Sequence, residues 1–255
     1  MTRTRRSPLT LGLIGLVVLV ALGGIGGLAY LFLRGAPPPA VGLGSPSPGS
    51  SEPAATLGSL PSGAASTIGP DGLDGTWTID QTIGSIGDFS SSFVGYRVDE
   101  TLANVGAQTA VGRTPQVTGS LVLDGSSITS VDVTADLTRL ASDDDRRDGQ
   151  LGRQGIETDE FPQATFRLTS PIELGSVPID GQTVDATAAG ELTLHGVTRT
   201  VSVPLRARLS GDVVTVTGSI DILFADYDIE RPSSFIVLSI EDHGIMEFQL
   251  HFRRG

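Results

Sequence analysis

Beyond residue 76 the chain alternates. Val131, Val133, Ala135 and Leu137 are interleaved with Asp132, Thr134 and Asp136. Val117, Gly119, Leu121 and Leu123 alternate with Thr118, Ser120 and Asp124, and Val201, Val203, Leu205 and Ala207 with Ser202, Arg206 and Arg208. Val214, Val216, Gly218, Ile220, Ile222 and Phe224 form one long apolar face. Met246, Phe248, Leu250 and Phe252 form another beside Glu247, Gln249 and His251. A period of two turns one side of each strand toward a core and the other toward water. Asp124-Gly125, Asp180-Gly181, Ser210-Gly211 and His243-Gly244 separate the runs, and Leu192 and Leu194 approach His195-Gly196. Each pair supplies a residue that accepts positive φ, so the pattern predicts hairpins and an antiparallel sheet.

The runs predict about eight strands, near 77–80, 93–100, 117–124, 128–136, 164–169, 187–194, 201–209 and 213–224. A further pair, 235–240 and 245–252, extends or closes the sheet. Closure into a barrel is favoured because it removes exposed edges. One segment breaks the pattern. Ser142 reads as an N-cap, Asp143, Asp144 and Asp145 suit the positive end of a helix, and Leu140, Leu151 and Ile156 are its apolar anchors. A short helix or lid ending near Gly155 is expected, with Gly149 and Gly152 weakening its regularity.

Residues 9–33 form an uncharged apolar stretch. As a helix it would rise about 37 Å, more than the ~30 Å hydrocarbon core requires. It is longer than a signal-peptide core, and Tyr30-Leu31-Phe32-Leu33-Arg34 carries no small-x-small cleavage pattern. Arg3, Arg5 and Arg6 precede it and Arg34 follows. The reading is a single-pass anchor in the cell membrane, with residues 1–8 cytoplasmic and the rest extracytoplasmic. Gly23 and Gly27 have a spacing that permits helix pairing, hence a homodimer. Residues 34–75 are rich in Pro, Ser and Gly and should be a disordered tether that holds the next domain, 76–255, off the membrane.

Composition then narrows the chemistry. The 17 basic residues are all Arg, so Schiff-base and P-loop lysines are excluded. Zero Cys removes disulfides, thiolate nucleophiles and zinc–cysteine sites. Residues 76–255 carry 13 Arg and 26 acids, a surface that repels phosphate backbones and excludes nucleic acid as the main partner.

Several segments together resemble the YceI family of bacterial exported proteins. They are Trp77-Thr78-Ile79-Asp80, Asp136-Leu137-Thr138 and Arg146-Arg147-Asp148-Gly149-Gln150-Leu151, with Phe161-Pro162-Gln163-Ala164-Thr165-Phe166 and the hairpin Gly190-Glu191-Leu192-Thr193-Leu194-His195-Gly196-Val197-Thr198-Arg199. The resemblance covers roughly residues 76–255. It implies an all-β fold, an extended antiparallel eight-stranded lipocalin-like barrel with one short helix. It also implies a long polyisoprenoid tail held in an apolar interior. Gln150 stands where many relatives carry a histidine, which puts the headgroup preference in question.

The candidate chemistry is sparse. His195 and His243 read as turn residues, His195 bonding the neighbouring backbone, and His251 as solvent-facing on the last strand. None has a histidine partner at metal-ligand spacing, and Asp143, Asp144, Asp145 and Asp148 do not fit an EF-hand. Asp226, Asp228, Glu230 and Arg231 read as a solvated loop, and no G-x-S-x-G elbow is present. No catalytic residue, metal or cofactor is expected. Small inward candidates such as Val131, Ala135, Ala207 and Gly218 leave room for a cavity. The expected apolar wall is Phe93, Val133, Phe161, Phe166, Leu192 and Phe224, around a polyisoprenoid lipid or a quinone. A ligand-free interaction module on a stalk is the alternative. An envelope hydrolase would need a cleft that gathers His195 or His243 with an aspartate, and nothing in the spacing suggests one.

Overall fold

Twelve strands form one antiparallel sheet in the computed structural model, which describes residues 37–42, 72–103, 105–232 and 237–255. The apolar stretch 9–33 lies outside them, as does most of 34–75. Among the described residues no helix is long and apolar enough to cross a membrane. The strands are β1 (Gly75–Ile79), β2 (Phe93–Leu102), β3 (Gly106–Thr114), β4 (Val117–Asp124), β5 (Ser127–Asp136), β6 (Gln163–Leu168) and β7 (Ile172–Glu173). They continue with β8 (Thr183–Leu194), β9 (Val197–Ser210), β10 (Val213–Leu223), β11 (Val237–Ile240) and β12 (His243–Arg254).

Eight of them close a ring in the order β1-β4-β5-β6-β8-β9-β10-β12, and β12 returns to β1 through Trp77↔Arg254 and Ile79↔Phe252. β12 serves two neighbours. Its C-terminal end pairs with β1, while its first half, Ile245 to Gln249, pairs with Arg97 to Phe93 of β2. The β2–β3 hairpin therefore extends the wall beyond the short β1, and β3 reaches the segment after β5 through the Arg113↔Ala141 bridge.

The alternating runs became strands as expected, but the sequence reading omitted β3 and β7. The second half of β3, Ala110 to Thr114, is buried on both faces, so it shows no alternation. β8 and β9 start earlier than expected and meet in a two-residue turn, where His195 (φ 51°) and Gly196 (φ 73°) are both left-handed. His243-Gly244 is not a turn: both residues lie inside β12, and β11 pairs with β2 instead. The expected helix is a six-residue α1 (Asp145–Gln150) followed by one π-helical turn over Leu151–Gly155. Its N-cap is Asp144, which accepts from the Arg146 and Arg147 amides; Ser142 instead bonds Asp148.

Trp77, Val117, Leu121, Leu250 and Phe252 fill the base of the barrel, and Trp77 Nε1 donates to Leu73 O at 3.0 Å. Higher up, large rings lie against the wall. Phe166, Phe248 and Tyr96 occupy the space that a Cβ on Gly190, Gly218 and Gly112 would need. Glycines on neighbouring strands thus take up the rings and leave the middle hollow.

One stretch of the expected tether is described. Pro37 to Gly42 lies against the outside of β2, β3 and β12. Pro38 O accepts from Arg97 Nη2 at 2.5 Å, Pro39 O from Arg113 Nη2 at 2.8 Å, and the Val41 amide donates to Glu247 Oε2 at 3.4 Å. Beneath this strap Glu247, 1% exposed, pairs with Arg97 and Arg113, each at 2.7 Å. The Arg113 guanidinium lies 4.2 Å from the Phe93 ring centre and 4.8 Å from that of Phe89. Such a buried triad holds only while each charge keeps its partner.

Candidate functional site

The lumen has two chambers. The lower one, about 120 Å³, is walled by inward side chains of β4 to β10 and β12, Val133, Phe166, Leu192, Leu205 and Phe248 among them. The upper one, about 680 Å³, lies between β2, β3, α1 and the turns after β10. Val94, Ala164 and Met246 line both and mark the boundary between them, here called the neck. Leu102, Leu137, Ile222, Phe224 and Ile229 make most of the upper surface apolar.

Polar groups gather on the α1 side. Glu100, 7% exposed, accepts from Arg147 Nη2 at 2.8 Å and from Gln108 Nε2 at 3.0 Å. Arg147 Nη1 also holds Asp143 Oδ1 at 2.7 Å. The ion pair fastens α1 to β2 over the chamber. Tyr96 lines the same space; burial pushes its hydroxyl well above the ordinary tyrosine value, Arg147 opposes this, and Asp148, Glu100 and Asp143 add to it.

Of the six wall residues read from the sequence, Val133, Phe166 and Leu192 line the lower chamber and Phe224 the upper. Phe224 begins a 3-10 turn instead of ending the strand. Phe93 and Phe161 line neither. Phe93 shares the outer face of β2 with Gly95, opposite Gln249 and Glu247, under Arg113. The inner phase is Val94, Tyr96 and Val98. Phe161 packs on His195, ring centres 4.4 Å apart, and fills the space beside Gly196.

Two histidine readings change. His195 is buried, and its Nδ1 donates to Tyr227 O at 3.0 Å rather than bonding neighbouring backbone, while Nε2 lies 3.0 Å from Glu157 Oε2. His251 is buried too, between Thr215 Oγ1 at 2.9 Å and Ser90 O at 2.8 Å, because the 85–92 loop covers the outer face of β12. His243 is exposed beside Asp242. The sequence reading missed Tyr96, Glu100, Arg147, Ala164 and Met246. Tyr96 and Glu100 follow once Val94 rather than Phe93 is known to face inward; no local pattern links Glu100 to Arg147, 47 residues away.

The chain is similar to several known proteins. A UPF0312 protein of Vibrio parahaemolyticus is 26% identical over 152 residues, 56% of this chain and 76% of its own. The solved polyisoprenoid-binding domain from Saccharophagus degradans superimposes with a TM-score of 0.54 at 18% identity, covering 71% of this chain and 99% of that one. BcnA of Burkholderia cenocepacia gives 0.48 at 22% identity over 63% of this chain and 95% of that one. The YceI-like domain pattern matches residues 77–252, and the chain belongs to the YceI-like family.

Proposed function

We propose that the protein is a membrane-tethered, extracytoplasmic carrier that holds a polyisoprenoid or similar long-chain amphiphile in the barrel, for transport, storage or sequestration. The observation that carries this reading is the apolar upper chamber of about 680 Å³ with its neck into a second chamber. The walls of the 680 Å³ chamber are mostly apolar, so water inside it finds few hydrogen-bond partners. An apolar guest that displaces this water gains the area it buries. Each buried methylene of the guest gains about 0.8 kcal/mol, so affinity needs no catalytic group. The name of the Saccharophagus degradans domain points to the same guest class.

In this reading residues 9–33 span the membrane once and the barrel lies outside. A hydrolase reading has little to stand on: both nitrogens of the buried His195 have partners, and His243, though 3.0 Å from Asp242, is exposed and lines neither chamber. The ligand-free module loses its main support to the hollow interior. Mass spectrometry of organic extracts from the protein, purified from membranes without delipidation, tests the carrier reading. A long-chain lipid in near-stoichiometric amount is expected; its repeated absence would sink the reading.

A further inference from the structure

Pro37, Pro38 and Pro39, which open the strap, have no N–H to satisfy, and a proline run is extended before it docks. Laying it on the wall therefore orders little chain. Its carbonyls meet a surplus of charge. Arg97 and Arg113 are two cations against the one anion of Glu247, and none of the three side chains is more than 13% exposed. Pro38 O and Pro39 O accept from the two guanidiniums, and Glu247 Oε2 takes the Val41 amide as well as Arg97 Nε. Carbonyl dipoles aimed at a desolvated net positive charge stabilise it.

The strap also lies on the back of the upper chamber. Tyr96 and Val98 flank Arg97 on β2 and line that chamber from inside. Leu238 and Ile245, 67% and 38% exposed, stand on the same wall, on β11 and β12. Four peptide steps separate Leu33, the last residue of the apolar stretch, from Pro37, and they reach at most about 15 Å. A free tether over residues 34–75 would instead set the barrel roughly 35 Å away on average and about 140 Å at full stretch. The domain's excess of acids offers an anionic bilayer no attraction, so attachment falls to the chain itself.

Resting on the reading of residues 9–33 as a membrane span, we propose that the strap is a clamp that seats the β2–β3–β12 wall at the lipid surface. The strap sets the distance between bilayer and barrel, and residues 43–71 add nothing to it. The partner of this wall is the bilayer that holds the protein's own span. Leu238 and Ile245 are offered to it, and the upper chamber stands one wall's thickness from the lipid.

The chain has no Cys, so one introduced as Ser239→Cys on exposed β11 backbone carries a nitroxide at a single site. The full chain is placed in phosphatidylcholine nanodiscs that contain a gadolinium-chelating headgroup lipid. Relaxation enhancement of the nitroxide then reads its distance from the bilayer. One variant carries about thirty extra Gly/Ser residues between Gly35 and Ala36, another the same insertion between Ser50 and Ser51. Both insertions lengthen a free tether equally, but only the first lies between the span and the clamp. The upstream insertion extends the link to roughly 30 Å and should lower the enhancement about fivefold. The downstream insertion should leave it at the wild-type value. Equal effects from the two insertions, or weak enhancement in the chain without either, overturn the clamp and leave the span and carrier readings standing. A chain that fails to enter the nanodiscs overturns the span, and the clamp with it.

Discussion

Glu247→Ala should destabilise the barrel by about 3–5 kcal/mol, the cost of breaking a buried pair and stranding its partners. For a domain of this size that is a fall in Tm of about 6–20 °C. The carboxylate is 1% exposed and holds Arg97 and Arg113 at 2.7 Å each. Without it two guanidiniums remain in a desolvated site, with the Pro38 and Pro39 carbonyls as their remaining acceptors beneath the strap. Val41 loses its acceptor as well, so Pro37 to Gly42 should become open to limited proteolysis. Thermal melts and a digestion time course check both outcomes. The exposed Arg206–Asp185 pair, at 2.6 Å, is the internal control. Water already solvates both of its partners, so Asp185→Ala should shift the melt far less. Equal shifts would contradict the burial argument.

Ala164→Trp should abolish retention of a long-chain guest and leave the domain folded. Ala164 is buried on β6 opposite Ala135, and it lines both chambers at their neck. An indole there has the upper chamber to enter, so the strain of ordinary overpacking, about 1–3 kcal/mol, should be largely relieved. Lipid per protein, measured on organic extracts beside the circular dichroism spectrum, reads both arms. Normal lipid yield from a folded variant would show that the guest does not pass the neck.

The barrel was legible because most ring strands bury one face only. Along Val117–Asp124 and Val213–Leu223 the inner face repeats every second residue. Where burial is two-sided, as from Ala110 to Thr114, the alternation vanishes and β3 with it. The family blocks were local, so the His195-Gly196 turn and the Phe161 segment could be placed from neighbouring residues alone. The site was legible only in kind. Phase along β2 is ambiguous because Phe93 and Val94 are both apolar, and the larger residue faces the Arg113 stack. The Arg97–Glu247–Arg113 triad and the Glu100–Arg147 pair join residues 150, 134 and 47 positions apart, which no local spacing encodes. His251 read as solvent-facing because it lies on the polar side of β12; the 85–92 loop that buries it comes from far away in the chain.

The hollow itself is the central claim, and a density map of the protein purified from membranes without delipidation tests it most directly. The account predicts one continuous elongated feature, running from beside Tyr96 through the neck at Val94, Ala164 and Met246 to the lower chamber. An interior filled by its own side chains, or a chamber holding only scattered solvent, would contradict it.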